Sequence, residues 1–205
     1  MWVAKSSAMT DKQSTAMVVS NNTISNNDVG GSLYVGSTVV NLPSFDIKVG
    51  AETLRGLIEQ HKRLQEDDPV YQMVLEELES KIRNAPSRSV IGLAGKLEAA
   101  GRQVYLQEAL LSSQKAVKII ARFQHIKAYQ IIFNHLLGLI LTRFNSHILP
   151  LLRSGCDDVT IRTAINSTII EPLYAEVGLA GGFVASDVVE GMLYFLTEKC
   201  HVEWV

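Results

Sequence analysis

Apolar residues recur every three or four positions from residue 51 onward, which is the spacing of amphipathic helices. Residues 51–65 predict a first helix, whose apolar stripe is formed by Leu54, Leu57, Ile58 and Leu64. A second helix is predicted from Pro69 to about Arg83, since Asp68 is a suitable N-cap and proline fits the first helical turn. The two helices, joined by a short acidic turn, predict an antiparallel helical hairpin.

The most apolar stretch is residues 116–152, where apolar positions cover more than one face. A helix with this pattern is expected to lie centrally, with neighbours on all sides. Its length suggests a break near Gly138 or Asn145. A further helix is predicted to begin at Asp157. The last helix is predicted over residues 188–199, with Ser186 and Asp187 as its N-terminal cap. The fold class predicted is therefore mainly α, a multi-helix bundle with a short β element before it.

Residues 21–50 have no helical period. Asparagine, glycine and serine oppose a helix there, while valine, isoleucine, tyrosine and threonine favour strands. Two similar units, Val29-Gly30 and Val35-Gly36, stand six residues apart. They predict a rudimentary β-solenoid or a small β-meander, too small to bury a face alone and therefore expected to oligomerise the protein. The alternative is a glycine-rich linker without fixed shape.

Three parts are predicted: a flexible lead-in over 1–20, the β-repeat element over 21–50 and a helical domain over 51–205. The chain has 205 residues, 47% of them apolar, which is enough for a substantial core. Its formal net charge of −2 does not favour direct nucleic-acid binding. Two widely separated cysteines and the lack of an apolar run near the start indicate a reduced, cytoplasmic protein.

The longest apolar run, 131–141, is about half of the ~20 residues that span a bilayer. A buried core helix is the preferred interpretation, and a membrane-disrupting helix released by some trigger is the alternative. The Gly30-Gly31 pair is not followed by the GK[ST] of a P-loop. No membrane span and no phosphate loop are therefore predicted.

No catalytic, metal-binding or cofactor-binding residue is predicted. The five histidines contain no i, i+4 pair, and the adjacent Cys200 and His201 would point to opposite faces of an extended segment. Asn134 and His135, on the most apolar helix, are the best candidates for a functional role, although satisfied buried polar groups would explain them equally well. An unrecognised helical enzyme would draw on few polar residues: His125, Asn134, His135, Arg143 and Asn145.

Two segments resemble proteins of the bacterial ABC-three-component conflict systems. They are the C-terminal run from Gly191 to Trp204, GMLYFLTEKCHVEW, and the Ile169–Leu173 sequence IIEPL. The repeat-like residues 24–41 resemble segments placed before such domains. The resemblance implies a domain that links an effector to a complex containing an ABC-type ATPase and a companion subunit. It carries no catalytic residues over to this chain.

The predicted function is accordingly that of a non-catalytic adaptor or sensor in an anti-phage defence complex, which acts by protein interaction and as a homo-oligomer. A phage or surface structural oligomer and a helical enzyme are the alternatives. Trp204 is expected to pack on the body as an anchor. The interaction candidates are Val29, Gly30, Val35, Gly36, Asn134, His135, Cys200, His201 and Trp204.

Overall fold

The computed structural model describes residues 28–35, 38–85 and 92–205. The first elements are two antiparallel strands, β1 (Asp28–Val35) and β2 (Thr38–Asp46), which form a single hairpin. The sequence predicted a solenoid or meander of very short strands. That subdivision is wrong for the described residues, because Val29, Gly30 and Val35 all lie in one strand. The predicted lead-in over 1–20 and Gly36 lie outside the described residues.

The hairpin register shifts near its open end. Val29 pairs with Phe45 whereas Gly31 pairs with Leu42, so Gly30 faces two residues of β2. One of them is Pro43, which has no N–H group to donate to the ladder. This β-bulge bends the strand pair just before the chain enters the helical body.

Two capped helices follow directly. Helix α1 (Ile47–Arg63) begins four residues before the predicted start, because the Asp46 side chain accepts a hydrogen bond from the Val49 amide at 3.1 Å. Helix α2 (Pro69–Ile82) begins as predicted, with Asp68 accepting from the Val70 amide at 2.8 Å. The remaining helical elements are α3 (Gly92–Ala99), a 3₁₀ turn (Gln103–Tyr105), α4 (Leu106–Phe123), α5 (Lys127–Arg143), α6 (Leu149–Arg153), α7 (Asp158–Ile165), α8 (Glu171–Leu179) and α9 (Ser186–Glu198).

Two of the helix junctions are π-helical turns rather than breaks. Residues Phe144–Ile148 join α5 to α6, and Asn166–Ile170 join α7 to α8. The predicted break near Asn145 is therefore a widened turn inside a continuing helix. The single helix predicted over 116–152 is wrong at its start, since the chain turns at 124–126 between α4 and α5. Apolar spacing did not reveal this turn because both helices bury apolar residues.

The last helix also differs from its predicted start. Asp157 caps α7 through the Thr160 amide at 2.9 Å, as expected. Ala185, not Ser186, occupies the N-cap of α9, and Asp187 lies in the first turn, where its carboxylate pairs with Lys115 of α4. Asp187 is therefore used for a contact between helices rather than for capping.

The core is built mainly around α5 and α9. Both helices bury large apolar side chains, and α9 packs along α4 and lies against α3 and α5. The fully buried residues include Phe133, Leu136, Leu137, Ile140, Met192, Leu193 and Leu196. The predicted fold class, a helical bundle preceded by a short β element, is confirmed. Among the described residues, no helix has both the length and the apolar character needed to cross a membrane.

Gly191 allows α9 to approach α4 closely. A Cβ added there would lie 2.1 Å from the Ser112 carbonyl oxygen, a backbone atom that cannot move independently of α4. We expect Gly191→Ala to lower the free energy of unfolding by about 2–3 kcal/mol. Gly56→Ala on α1, where the added methyl meets no described residue within 4 Å, should instead raise it by up to about 1 kcal/mol. Urea denaturation of both variants tests this, and effects of the same sign would contradict it.

Candidate functional site

Three of the polar residues of α5 form a strip along this central helix, while the buried Gln130 accepts a hydrogen bond from the Tyr71 hydroxyl of α2. The three are Asn134, His135 and Arg143, which we call the α5 polar strip. All three are among the residues that the sequence offered for a polar site. The other two, His125 and Asn145, are exposed and lie outside the strip.

At its first end, the α5 polar strip contacts α2. Lys81 donates from Nζ to Glu77 Oε1 at 2.5 Å and to Asn134 Oδ1 at 2.6 Å, and Asn134 Nδ2 donates to Glu77 Oε2 at 3.1 Å. The hydrogen bonds from Lys81 and Asn134 hold the pKa of Glu77 below its usual value. The three side chains close a ring of hydrogen bonds that fastens α2 to α5.

At its second end, the strip contacts Glu176 of α8, which is only 2% exposed. Arg143 donates from Nη2 to Glu176 Oε1 at 2.7 Å and from Nη1 to the Thr168 carbonyl at 3.3 Å. His135 Nε2 lies 3.5 Å from Glu176 Oε2, and neither of these two atoms has a hydrogen-bond partner among the described residues. This is a buried ion pair with an adjoining histidine.

The charge state of Glu176 follows from opposing effects. Burial raises the pKa of its carboxyl, but His135 and Arg143 favour the carboxylate and together bring the pKa below its usual value. Glu176 is therefore ionised at neutral pH and balances the Arg143 charge. A buried pair of this kind contributes little net stability, but loss of one partner leaves a buried charge uncompensated.

Gly50 of α1 completes the packing around the ion pair. A Cβ at this position would lie 2.6 Å from Glu176 Cδ, so glycine allows α1 to lie directly against the carboxylate. Sequence reasoning placed Gly50 only at the end of the β-repeat element, directly before the helical pattern. The close approach depends on a residue 126 positions away, which no local pattern reveals.

The same arginine holds the base of the hairpin. The Arg143 guanidinium lies 4.1 Å from the centre of the Phe45 ring of β2, and the His147 ring meets Phe45 edge-on at 5.9 Å. Burial, followed by the nearby Arg143 charge, lowers the pKa of His147, which favours its neutral form. Arg143 immediately precedes one π-helical turn and Thr168 lies in the other. The ion pair thus joins the hairpin base, α5 and the α7–α8 helix.

The C-terminal candidates form a separate site of packing. Trp204 is 4% exposed, its ring meets Phe144 edge-on at 5.4 Å, and its Nε1 donates to Thr197 Oγ1 at 3.0 Å. Lys96 Nζ donates to the Val202 carbonyl at 2.8 Å. The tail therefore lies along the body, where Trp204 makes the anchoring contact that the sequence predicts.

Cys200 and His201 do not form an extended pair. Cys200 is buried and has a positive φ of 66°, so the chain turns sharply after α9. A ring nitrogen of His201 donates to the Arg83 carbonyl at 2.9 Å, which connects the turn to the end of α2. The predicted extended geometry is wrong here, and both residues hold the tail to the body.

The polar groups of the α5 polar strip thus contact charged side chains of α2 and α8. Within the described residues, no group of three or more histidine, cysteine, aspartate or glutamate side chains could hold a metal ion. The sequence did not predict a role for Glu77, Lys81 or Glu176, since each is one charged residue in an ordinary helical pattern. An acid between Leu173 and Val177, on the apolar side of its helix, was the one available signal for Glu176.

By its fold, the protein is a helical domain with an N-terminal β-hairpin, in which buried polar side chains hold the helices and the hairpin together. Residues 92–204 match the family model of C-terminal domain 9 of the ABC-three component (ABC-3C) systems, and the chain belongs to this family. The predicted resemblance is confirmed, although the match begins at α3 and leaves out the hairpin, α1 and α2. Searches among curated proteins and solved structures find no match.

Proposed function

We propose that this protein is a non-catalytic adaptor or sensor of an ABC-3C defence system, which docks onto an assembly containing an ABC-type ATPase and a companion subunit. Membership of a family of ABC-3C C-terminal domains carries this proposal. The buried ion pair and the Glu77–Lys81–Asn134 ring support it, because these polar groups fix the positions of helices. Partner binding would then depend on the surface of the domain.

A partly apolar surface lies within the matched residues. Val104 and Val159 are 77% and 75% exposed, and each lies within two residues of one partner of the Arg102–Asp158 ion pair. Val159 also borders a groove of about 360 Å³. We call Val104 and Val159 the valine surface. Exposed apolar side chains beside charged groups are typical of protein interfaces. We infer that the ATPase-containing assembly binds here, since this surface belongs to the family domain itself.

Co-purification tests the docking. The full chain is co-expressed with the ATPase and companion subunit of its own system, and the affinity of the assembly for the chain is measured. We expect the double variant Val104→Asp/Val159→Asp to weaken binding at least tenfold, as charge in the centre of an interface would.

Met73→Asp is the matched control. Met73 is also largely exposed, but it lies on α2, outside the matched residues. This variant should bind like the unmodified chain. Undiminished binding by the double valine variant, with its helical content intact, would reject the valine surface. Failure of the unmodified chain to bind any component of its own system would reject the docking function itself.

Self-association through the hairpin remains a second proposal, and the strand geometry supports it. The described sheet has only two strands, so the outer edges of β1 and β2 carry no further strand within the described residues. Such edges can pair with another copy. Deleting residues 21–41 retains Phe45 and the Asp46 cap, so α1 should still form. Sedimentation velocity should then show fewer chains per particle than for the full chain, and an unchanged number of chains per particle would refute this proposal.

A further inference from the structure

A cavity of about 300 Å³ lies between α1, α2 and α5. It is located where the two helices outside the family match pack on the matched domain. Most of its wall is apolar, formed by Leu57, Val74, Ile131 and Leu139. Its polar lining consists of His61, Glu77, Asn134 and His135. A volume of this order is at the lower end for small-molecule sites, which are also mostly apolar with a few polar groups.

His61 is the unusual member of this wall. It is 4% exposed, and its Nδ1 lies 2.8 Å from the Leu57 carbonyl oxygen. A carbonyl only accepts, so Nδ1 carries a proton, and Nε2 of the neutral ring is left as an acceptor. Nε2 is buried and has no hydrogen-bond partner in the part of the chain that the structure describes. A buried polar atom without a partner is costly and calls for an explanation.

The other polar side chains of the cavity are directed to protein groups. Glu77 and Asn134 bond to each other and to Lys81, and His135 Nε2 lies nearest the Glu176 carboxylate. His135 Nε2 also lacks a hydrogen bond, but it lies beside the Glu176 carboxylate. Within the described residues, His61 Nε2 is therefore the buried polar atom of this lining that has neither a hydrogen bond nor a charged neighbour, and it is left for a ligand. An anionic ligand would offer this acceptor no proton and would lie near the Glu77 carboxylate.

We propose that this cavity binds a small, mainly apolar molecule with one hydrogen-bond donor, a hydroxyl or an N–H group, which donates to His61 Nε2. This inference goes beyond the docking function, and it does not require that function to be correct. The ligand touches both the α1–α2 hairpin and the family domain, so binding would stabilise the packing between them.

Matched pairs of small molecules test the donor. Indole and phenol carry one donor each, whereas benzofuran and anisole have similar shapes and none. Binding to the full chain is measured by nitrogen-15 NMR of the histidine rings and by titration of the affinities. We expect indole or phenol to shift the His61 Nε2 resonance and to bind at least tenfold more tightly than its donor-free counterpart.

Three results would overturn the proposal. If neither donor molecule shifts the His61 signal, the cavity holds solvent only. If donor and donor-free molecules bind equally, His61 Nε2 is not the recognition group. If His61→Phe, which keeps a ring but removes the acceptor, retains the tenfold preference for the donor molecule, the donor is recognised elsewhere.

Two substitutions of Gly138, which lines the cavity, test whether the molecule binds inside it. Among the described residues, a Cβ at this position would meet only the end of the Lys81 side chain, at 3.8 Å, so Gly138→Ala should keep affinity within about threefold. Gly138→Leu places a large side chain at the cavity wall and should lower affinity at least tenfold. Equal affinities for these two folded variants would place the molecule outside the cavity. If Gly138→Leu does not fold, the His61→Phe comparison alone decides.

Discussion

Removing residues 202–205 is expected to lower the free energy of unfolding by about 4 kcal/mol or more, the largest effect of any short truncation of the described tail. The truncation removes the buried side chains of Val202 and Trp204, and loss of a buried tryptophan alone costs about 3–5 kcal/mol. It also removes the Val202 carbonyl that accepts from the buried Lys96 ammonium. Thermal and urea denaturation measure the loss.

Two matched variants separate the anchor from the chain end. Val205 is exposed, so deleting it alone should change stability by less than about 0.5 kcal/mol. Trp204→Phe keeps a ring against Phe144 but loses the hydrogen bond to Thr197, so its effect should be intermediate. A full truncation that unfolds like the intact chain would show that the tail contributes nothing to the fold.

Glu176→Gln is expected to cost about 3–5 kcal/mol. The amide keeps the shape that Gly50 accommodates, but it leaves the Arg143 guanidinium charged and buried without its counter-ion. The double variant Arg143→Met/Glu176→Leu removes both charges and should be less destabilised than the single variant. Glu79→Gln, in the exposed Arg83–Glu79 pair, is the control and should cost less than about 1 kcal/mol. Equal losses for Glu176→Gln and Glu79→Gln would contradict a buried pair.

The same carboxyl predicts a pH dependence. Because the pKa of Glu176 is lower in the folded chain than its ordinary value of 4.5, its stabilising contribution is fully present above that value. The contribution is lost as the pH falls through the folded-state pKa. The unmodified chain should therefore lose more stability below pH 4.5 than Glu176→Gln does. Parallel stability curves for the two proteins over this acid range would refute the prediction.

Helix α2 was predicted well because its signals are local. Its start is determined by the Asp68 cap and by Pro69 in the first turn. Its buried face is determined by the apolar stripe that begins in the same turn. The turn between α4 and α5 was missed because apolar spacing continues through it, although the chain changes direction. The start of α1 was misplaced because Asp46, its cap, lies at the end of a strand.

The candidate site shows the same limit. Asn134 and His135 could be selected because polar residues interrupt the most apolar helix. Their partners could not be selected, since Lys81 is 53 positions from Asn134 and Glu176 is 41 positions from His135. Lys81 has no local pattern that distinguishes it from a solvated surface charge, and the position of Glu176 between Leu173 and Val177 does not identify its partner. Only the packing of α2 and α8 against α5 brings these groups together.

By itself, the sequence determined the helical class, the capped helix starts at Asp68 and Asp157, and the resemblance to ABC-3C proteins. These properties depend on residues within one or two helical turns, or on short stretches of chain. The tertiary structure alone decided that Arg143 pairs with Glu176, that Gly50 and Gly191 must remain small, and that His61 faces a cavity. Each of these contacts joins residues distant in the chain, and its energy depends on burial that exists only once the helices pack.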